Sequence, residues 1–128
     1  MSRRDTGSQA CTSTILHICP MAEWNEALPA GEYAPDSLAV EGFIHCSTHG
    51  QVVGVANALY RGRENLVLLM ISSQRLTAPL VYEDCYELGK EYPHVYGPLN
   101  TEAVVGVLQF PPNSEGHFSL PSELSSPT

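Results

Sequence analysis

Five histidines, His17, His45, His49, His94 and His117, punctuate the chain, and two of them fall inside runs that otherwise read as strand. In Ile15-Leu16-His17-Ile18 and Gly42-Phe43-Ile44-His45-Cys46-Ser47 an apolar residue would be the ordinary choice at the histidine position. A single strand histidine is often a core residue satisfied by a backbone carbonyl. Two of them, with the Ser47 hydroxyl on the face of His45, are expected to form a polar cluster that hydrogen-bonds a sugar or phosphate if neighbouring strands present them to one cleft. Glu83, closing Val81-Tyr82-Glu83, has the chemistry to stabilise a developing cation or act as a base, although an edge carboxylate is ordinarily just solvated. His94 and Tyr96 stand in Pro93-His94-Val95-Tyr96-Gly97-Pro98, expected as a rigid, turn-rich loop that presents both side chains for binding.

Two other chemistries find less support. A nucleophile would be Ser47 or Cys46 with His45 as base, but adjacent strand residues point to opposite faces and Ser47 sits in no G-x-S-x-G elbow. A metal would draw on His17, Cys19, His45 and His49, yet no H-x-x-x-H on a helix or C-x-x-C pair frames them, and no metal site is expected.

The elements that must position these residues are legible in outline. Ile15 to Ile18 reads as a first strand, and Pro20 suits the first turn of a helix in which Trp24, Ala27 and Leu28 form the apolar stripe, closing near Gly31. The strand around His45 runs into Thr48-x-x-Gln51, a capping-box pattern, followed by Val52, Val55, Ala56 and Leu59 at helical spacing and an end near Arg61-Gly62. Leu66 to Ile71 is a continuous apolar run, the mark of a central strand covered on both faces. Pro79 to Tyr82 and Ala103 to Phe110 are further strands. Residues 1–13 and 121–128 are Ser/Thr/Pro-rich and are expected as disordered tails around one globular domain, residues 14–120.

Composition narrows the function classes. The chain has 128 residues, 43% of them hydrophobic, enough for one core without staples. With 6 Lys+Arg against 14 Asp+Glu the formal charge is -8, which disfavours nucleic acid and anionic lipid as partners. No apolar run approaches a membrane span, and polar residues 6–14 leave no signal-peptide h-region, so a cytoplasmic address is expected. Cys11, Cys19, Cys46 and Cys85 lack disulfide-scaffold spacing and are expected as reduced thiols.

The ordered segments I-L-H-I, G-F-I-H-C-S, L-V-L-L, V-Y-E and Y-P-H-V-Y-G-P-L-N resemble the family catalogued as domain of unknown function nine-five-two, over about residues 15–120. That resemblance implies the ADP-ribosyltransferase superfold, an α+β structure that grips NAD in a cleft between two small sheets. Within it the pattern is similar to the RNA 2′-phosphotransferase type, with His17 and Phe43-Ile44-His45-Cys46-Ser47 in the places of its two histidine strands. Ile18-Cys19 departs from the Gly-Thr of that type, and no arginine precedes His45.

The resulting expectation is a compact, mixed-sheet α+β domain with a pocket of His17, His45, Ser47, Glu83, His94 and Tyr96. In it, Glu83 and His17 would be catalytic, and His17, His45, Ser47, His94 and Tyr96 would hold NAD as substrate of an ADP-ribosyl transfer. The alternative is a non-catalytic module for a nucleotide or sugar metabolite. The oligomeric state is left open.

Overall fold

Strand β1, Thr14–Pro20, pairs antiparallel along its whole length with β4, Leu66–Ser72, with His17 opposite Leu69. The other edge of β4 carries β8, Val104–Gln109, so the uninterrupted apolar run is the middle of a three-stranded sheet, as its composition predicts. A computed structural model describes residues 14–85 and 89–125 of this chain. Alternation along β1 and β4 separates two apolar clusters. Ile15, Cys19, Val67, Leu69 and Ile71 pack on one side with Trp24, Ile44 and Val95. Leu16, Ile18, Leu66 and Leu68 pack on the other with Val52, Ala56, Phe110 and Phe118.

A second three-stranded antiparallel sheet holds the remaining candidate residues. Its order is β3 (Ile44–His45), β6 (Tyr92–Val95), β5 (Leu80–Glu83), with Ile44 opposite Val95 and His45 opposite His94. The expected loop 93–98 is thereby corrected: Pro93 to Val95 belong to the central strand, and only Tyr96 to Pro98 form the turn. Pro93, opposite Tyr82, has no N–H to donate, and its carbonyl accepts from Cys46 N at 3.0 Å. A two-stranded ribbon, β2 (Glu32–Tyr33) with β7 (Leu99–Asn100), completes the sheets, making a mixed α/β domain built from small antiparallel units. The two larger sheets are stitched together by one bridge, in which Leu16 and Ser47 exchange both backbone hydrogen bonds at 2.8 and 2.7 Å.

The helices follow their caps more closely than their stripes. Helix α1, Met21–Ala30, starts after Pro20 and stops at Gly31, whose φ of 80° lets its N–H reach back to Ala27 and Leu28 carbonyls. Trp24 and Ala27 are buried as expected, but Leu28 is 50% exposed. Helix α2, Asp36–Glu41, precedes β3. Helix α3, Val52–Leu59, ends two residues before the expected Arg61-Gly62. Half of the Thr48–Gln51 capping box forms, with Thr48 N donating to Gln51 Oε1 at 3.1 Å. Val52 and Ala56 enter the core, whereas Leu59 is 71% exposed. Beyond Leu120, where a tail was expected, Ser122–Ser125 form a short helical turn, α4, and Leu124 packs partly against the second apolar cluster. Residues 1–13 and 126–128 lie outside the described residues. Among the described residues no helix is long and apolar enough to cross a membrane.

Candidate functional site

The bridge between Leu16 and Ser47 brings the first histidine strand against the second and opens a cleft of about 720 Å³ between them. Its lining includes His17, His45, Ser47 and His94 from the sheets, with Glu23 of α1 and Tyr33 of β2 on one wall. On another wall stand Val55, Ala58 and Leu59 of α3, continuing into Tyr60 and Arg63. The exposed Leu59 is thus explained: Val55 and Leu59 of the α3 stripe face the cleft, while Val52 and Ala56 face the core.

His17 is buried, with Nδ1 donating to the His45 carbonyl at 2.6 Å and Nε2 3.3 Å from the Tyr33 hydroxyl. A carbonyl can only accept, so the neutral ring carries its proton on Nδ1 and leaves Nε2 as an acceptor. Burial lowers the imidazole from its ordinary 6.5 to about 4, only partly offset by the bond to His45, and His17 is neutral at pH 7. The Tyr33 hydroxyl donates to Glu23 Oε1 at 3.1 Å, and burial pushes the phenol well above its usual range. Glu23, Tyr33 and His17 therefore stand in one row along the cleft, in which the single Tyr33 proton goes to Glu23 and His17 Nε2 is left as an acceptor. The imidazole of His45 does not join it. It bonds Glu41 of α2, one helical turn earlier, and stays half exposed.

His94 lines the cleft with a ring that is only 2% exposed. Phe43 stacks on it at 4.0 Å and 20°, and its Nδ1 donates to Glu83 Oε2 at 2.8 Å. The register explains the pairing: Glu83 lies opposite Tyr92, diagonal to His94 on the same face of the sheet. The Tyr96 hydroxyl donates to the same Glu83 oxygen, and these two bonds hold the carboxyl below the usual carboxylate range. The bond to Glu83 likewise pushes the Tyr96 phenol up to about 12.

The six expected pocket residues thus divide into two groups that share His94. His17, His45, Ser47 and His94 line the cleft, whereas Glu83 and Tyr96 are not among its lining residues and stand behind His94. Reading the sequence missed Tyr33, Glu23 and Arg63. Glu23 lies off the Trp24–Ala27–Leu28 stripe of its helix, Tyr33 sits in a strand of two residues, and Arg63 falls in a polar linker, so no local pattern marks them. Cys19 and Cys46 are buried and unbonded to other sulfurs, with burial raising their thiols to about 11 and about 12, so neither is an activated nucleophile. Cys85 is also free, and Cys11 lies outside the described residues.

Fold and cleft together define a small α+β domain with a partly apolar, histidine-lined pocket between two antiparallel sheets. The chain belongs to the family described as protein of unknown function (DUF952), whose model matches residues 18–107. It is similar to CC0527 from Caulobacter crescentus, a structural-genomics target. The crystal structure of that protein is 32% identical, covers 84% of this chain and 94% of its own, and superposes with a TM-score of 0.74. The solution structure of CC0527 is 31% identical, covers 88% of this chain and 97% of its own, and gives a TM-score of 0.76. No curated protein matches the chain.

Proposed function

We propose that the cleft binds a nucleotide of the NAD or ADP-ribose kind. The observation that carries this reading is the convergence, in one cleft of about 720 Å³, of the Glu23–Tyr33–His17 row with an apolar wall of Val55, Ala58, Leu59 and Tyr60 next to Arg63. The volume falls inside the roughly 300–1,000 Å³ of small-molecule sites, and a few fixed polar groups against apolar lining is their usual make-up. The row offers acceptors to ribose hydroxyls, the apolar wall suits a base, and Arg63 supplies positive charge for a diphosphate in a chain whose net charge is -8. The ligand class is the one that the ADP-ribosyltransferase superfold, implied by the ordered sequence segments, would bring with it. The free Cys19, Cys46 and Cys85 fit a cytoplasmic address.

Binding without turnover is the form of this proposal that the geometry supports best. Glu83, the expected catalytic carboxylate, is engaged by His94 and Tyr96 and lies outside the cleft lining, so it would have to leave both partners to face a ribose. ADP-ribosyl transfer is the second reading, favoured by Glu23, a carboxylate that does line the cleft and accepts from Tyr33 beside His17. There the carboxylate would stabilise an oxocarbenium-like ribose as nicotinamide departs.

Isothermal titration with NAD and ADP-ribose tests both readings. The expected result is saturable binding that weakens tenfold or more, about 1.4 kcal/mol or beyond, in His17→Ala and in Arg63→Ala. Nicotinamide release that stops in Glu23→Gln but persists in Glu83→Gln would select transfer; binding without release selects the module. Absence of binding by either ligand to the wild type would overturn the assignment.

A further inference from the structure

On the side of His94 that meets Glu83 lies a cluster that the nucleotide reading does not use. Cys85 follows Glu83 by two residues at the end of β5, and its Sγ is 3.8 Å from His94 Nδ1. Glu83 Oε2 is 2.8 Å from the same nitrogen, and one donor atom from each of the three residues lies within 4.8 Å of the others. We propose that Glu83, Cys85 and His94 form a zinc-type metal site with a fourth position open to solvent.

The donor chemistry selects the metal. A thiolate, an imidazole and a carboxylate together suit Zn(II), while magnesium and calcium favour oxygen alone. Zinc bonds of about 2.0–2.3 Å at tetrahedral angles place ligand atoms roughly 3.5 Å apart, and the observed 3.8 and 2.8 Å bracket that separation. The contact between His94 and Glu83 must open by a fraction of an ångström as the metal replaces the hydrogen between them. The imidazole proton moves from Nδ1 to Nε2, and the Cys85 thiol proton leaves to solvent.

The supports are already in place. Phe43 stacked on the His94 ring fixes its plane, and the Tyr96 hydroxyl orients the Glu83 carboxylate, the outer-shell arrangement that ligating groups use. Cys85 is exposed, which gives the ion an entry path and leaves the open coordination position facing water. Three protein ligands with one vacancy is the arrangement of zinc sites that bind water or substrate. The proposal stands apart from the nucleotide reading, because Glu83 and Cys85 are not among the residues lining the cleft and neither Glu23 nor His17 takes part.

Cobalt(II) is the probe, titrated into the reduced, chelator-stripped full-length chain. The expected result is tetrahedral d–d bands with a thiolate-to-cobalt charge-transfer band, saturating at one ion per chain and quenched by Zn(II). Cys85→Ser, at an exposed position, keeps the far-ultraviolet circular dichroism of wild type and loses the charge-transfer band. Tyr96→Phe retains the band but weakens cobalt binding tenfold or more, as removal of an outer-shell partner does. His94→Gln and Glu83→Gln each weaken binding further, with competition against a chromophoric chelator as the readout. No charge-transfer band in wild type overturns the site, and so does a band of undiminished strength in Cys85→Ser, because another thiol would then be the ligand.

Discussion

His17 is where residue type, burial and hydrogen bonding meet most tightly. Its neutral ring is held by the His45 carbonyl inside the cleft wall, with Nε2 3.3 Å from the Tyr33 hydroxyl. The folded protein keeps it unprotonated down to about pH 4, whereas the unfolded chain protonates it near 6.5. Between those values the unfolded state binds more protons, so stability is complete above pH 6.5 and falls as the pH drops toward 4. The expected loss over that window is about 3 kcal/mol, at 1.36 kcal/mol for each pKa unit. Urea unfolding of wild type and His17→Gln at pH 7.0, 5.5 and 4.0, values spaced to span about 6.5 to 4, reads it directly. The variant is expected to lose much of the slope. A slope equal to wild type would show that His17 titrates normally. Heteronuclear NMR of the ring nitrogens is expected to place the proton on Nδ1.

At the scale of elements, the turn after β6 is the tightest constraint near the site. A Cβ added to Gly97 would stand 2.8 Å from the Ala78 Cβ, closer than packed carbon atoms approach. Gly97 lets the chain turn from β6 into β7 while Tyr96 N keeps its bond to the Pro79 carbonyl at 2.8 Å. Gly97→Ala is expected to cost about 1–3 kcal/mol, the range for overpacking, and to disturb the pairing of Tyr96 with Glu83. Thermal melting gives the cost, and an unchanged midpoint would mean that the bend at Ala78 gives way freely. Strand identity was less accessible than strand existence. Pro93-His94-Val95-Tyr96-Gly97-Pro98 carries the residues of a turn, and tertiary pairing on both sides of His94 overrides that local preference.

For the whole molecule, two apolar clusters separated by one three-stranded sheet carry the stability, and the C-terminal turn contributes to one of them. Leu124 is partly buried against the cluster of Phe110 and Phe118. Ending the chain at Leu120 is therefore expected to lower stability by about 1 kcal/mol, a partial share of the 1.5–3 kcal/mol of a fully buried leucine. That corresponds to roughly 4 °C in a melting curve. No change in Tm would return the segment to the tail that its Ser/Pro composition suggested.

The sequence by itself determined the central strand, the capped start and glycine stop of α1, the order of elements and the identity of the strand histidines. Each rests on local chemistry: an uninterrupted apolar run, a proline and a glycine at helix ends, a polar ring where aliphatic side chains belong. It also determined family membership, through segments whose residues survive in order. Only the tertiary structure decided that His17, Ser47 and His94 share one cleft while Glu83 and Tyr96 stand behind it. It alone enrolled Glu23 and Tyr33 beside His17, and set Cys85 against His94 across nine residues of chain. Those decisions depend on the Leu16–Ser47 bridge and on the register of β5 with β6. The first joins two sheets and the second pairs neighbouring strands of one sheet, and neither is fixed by any pattern within a single segment.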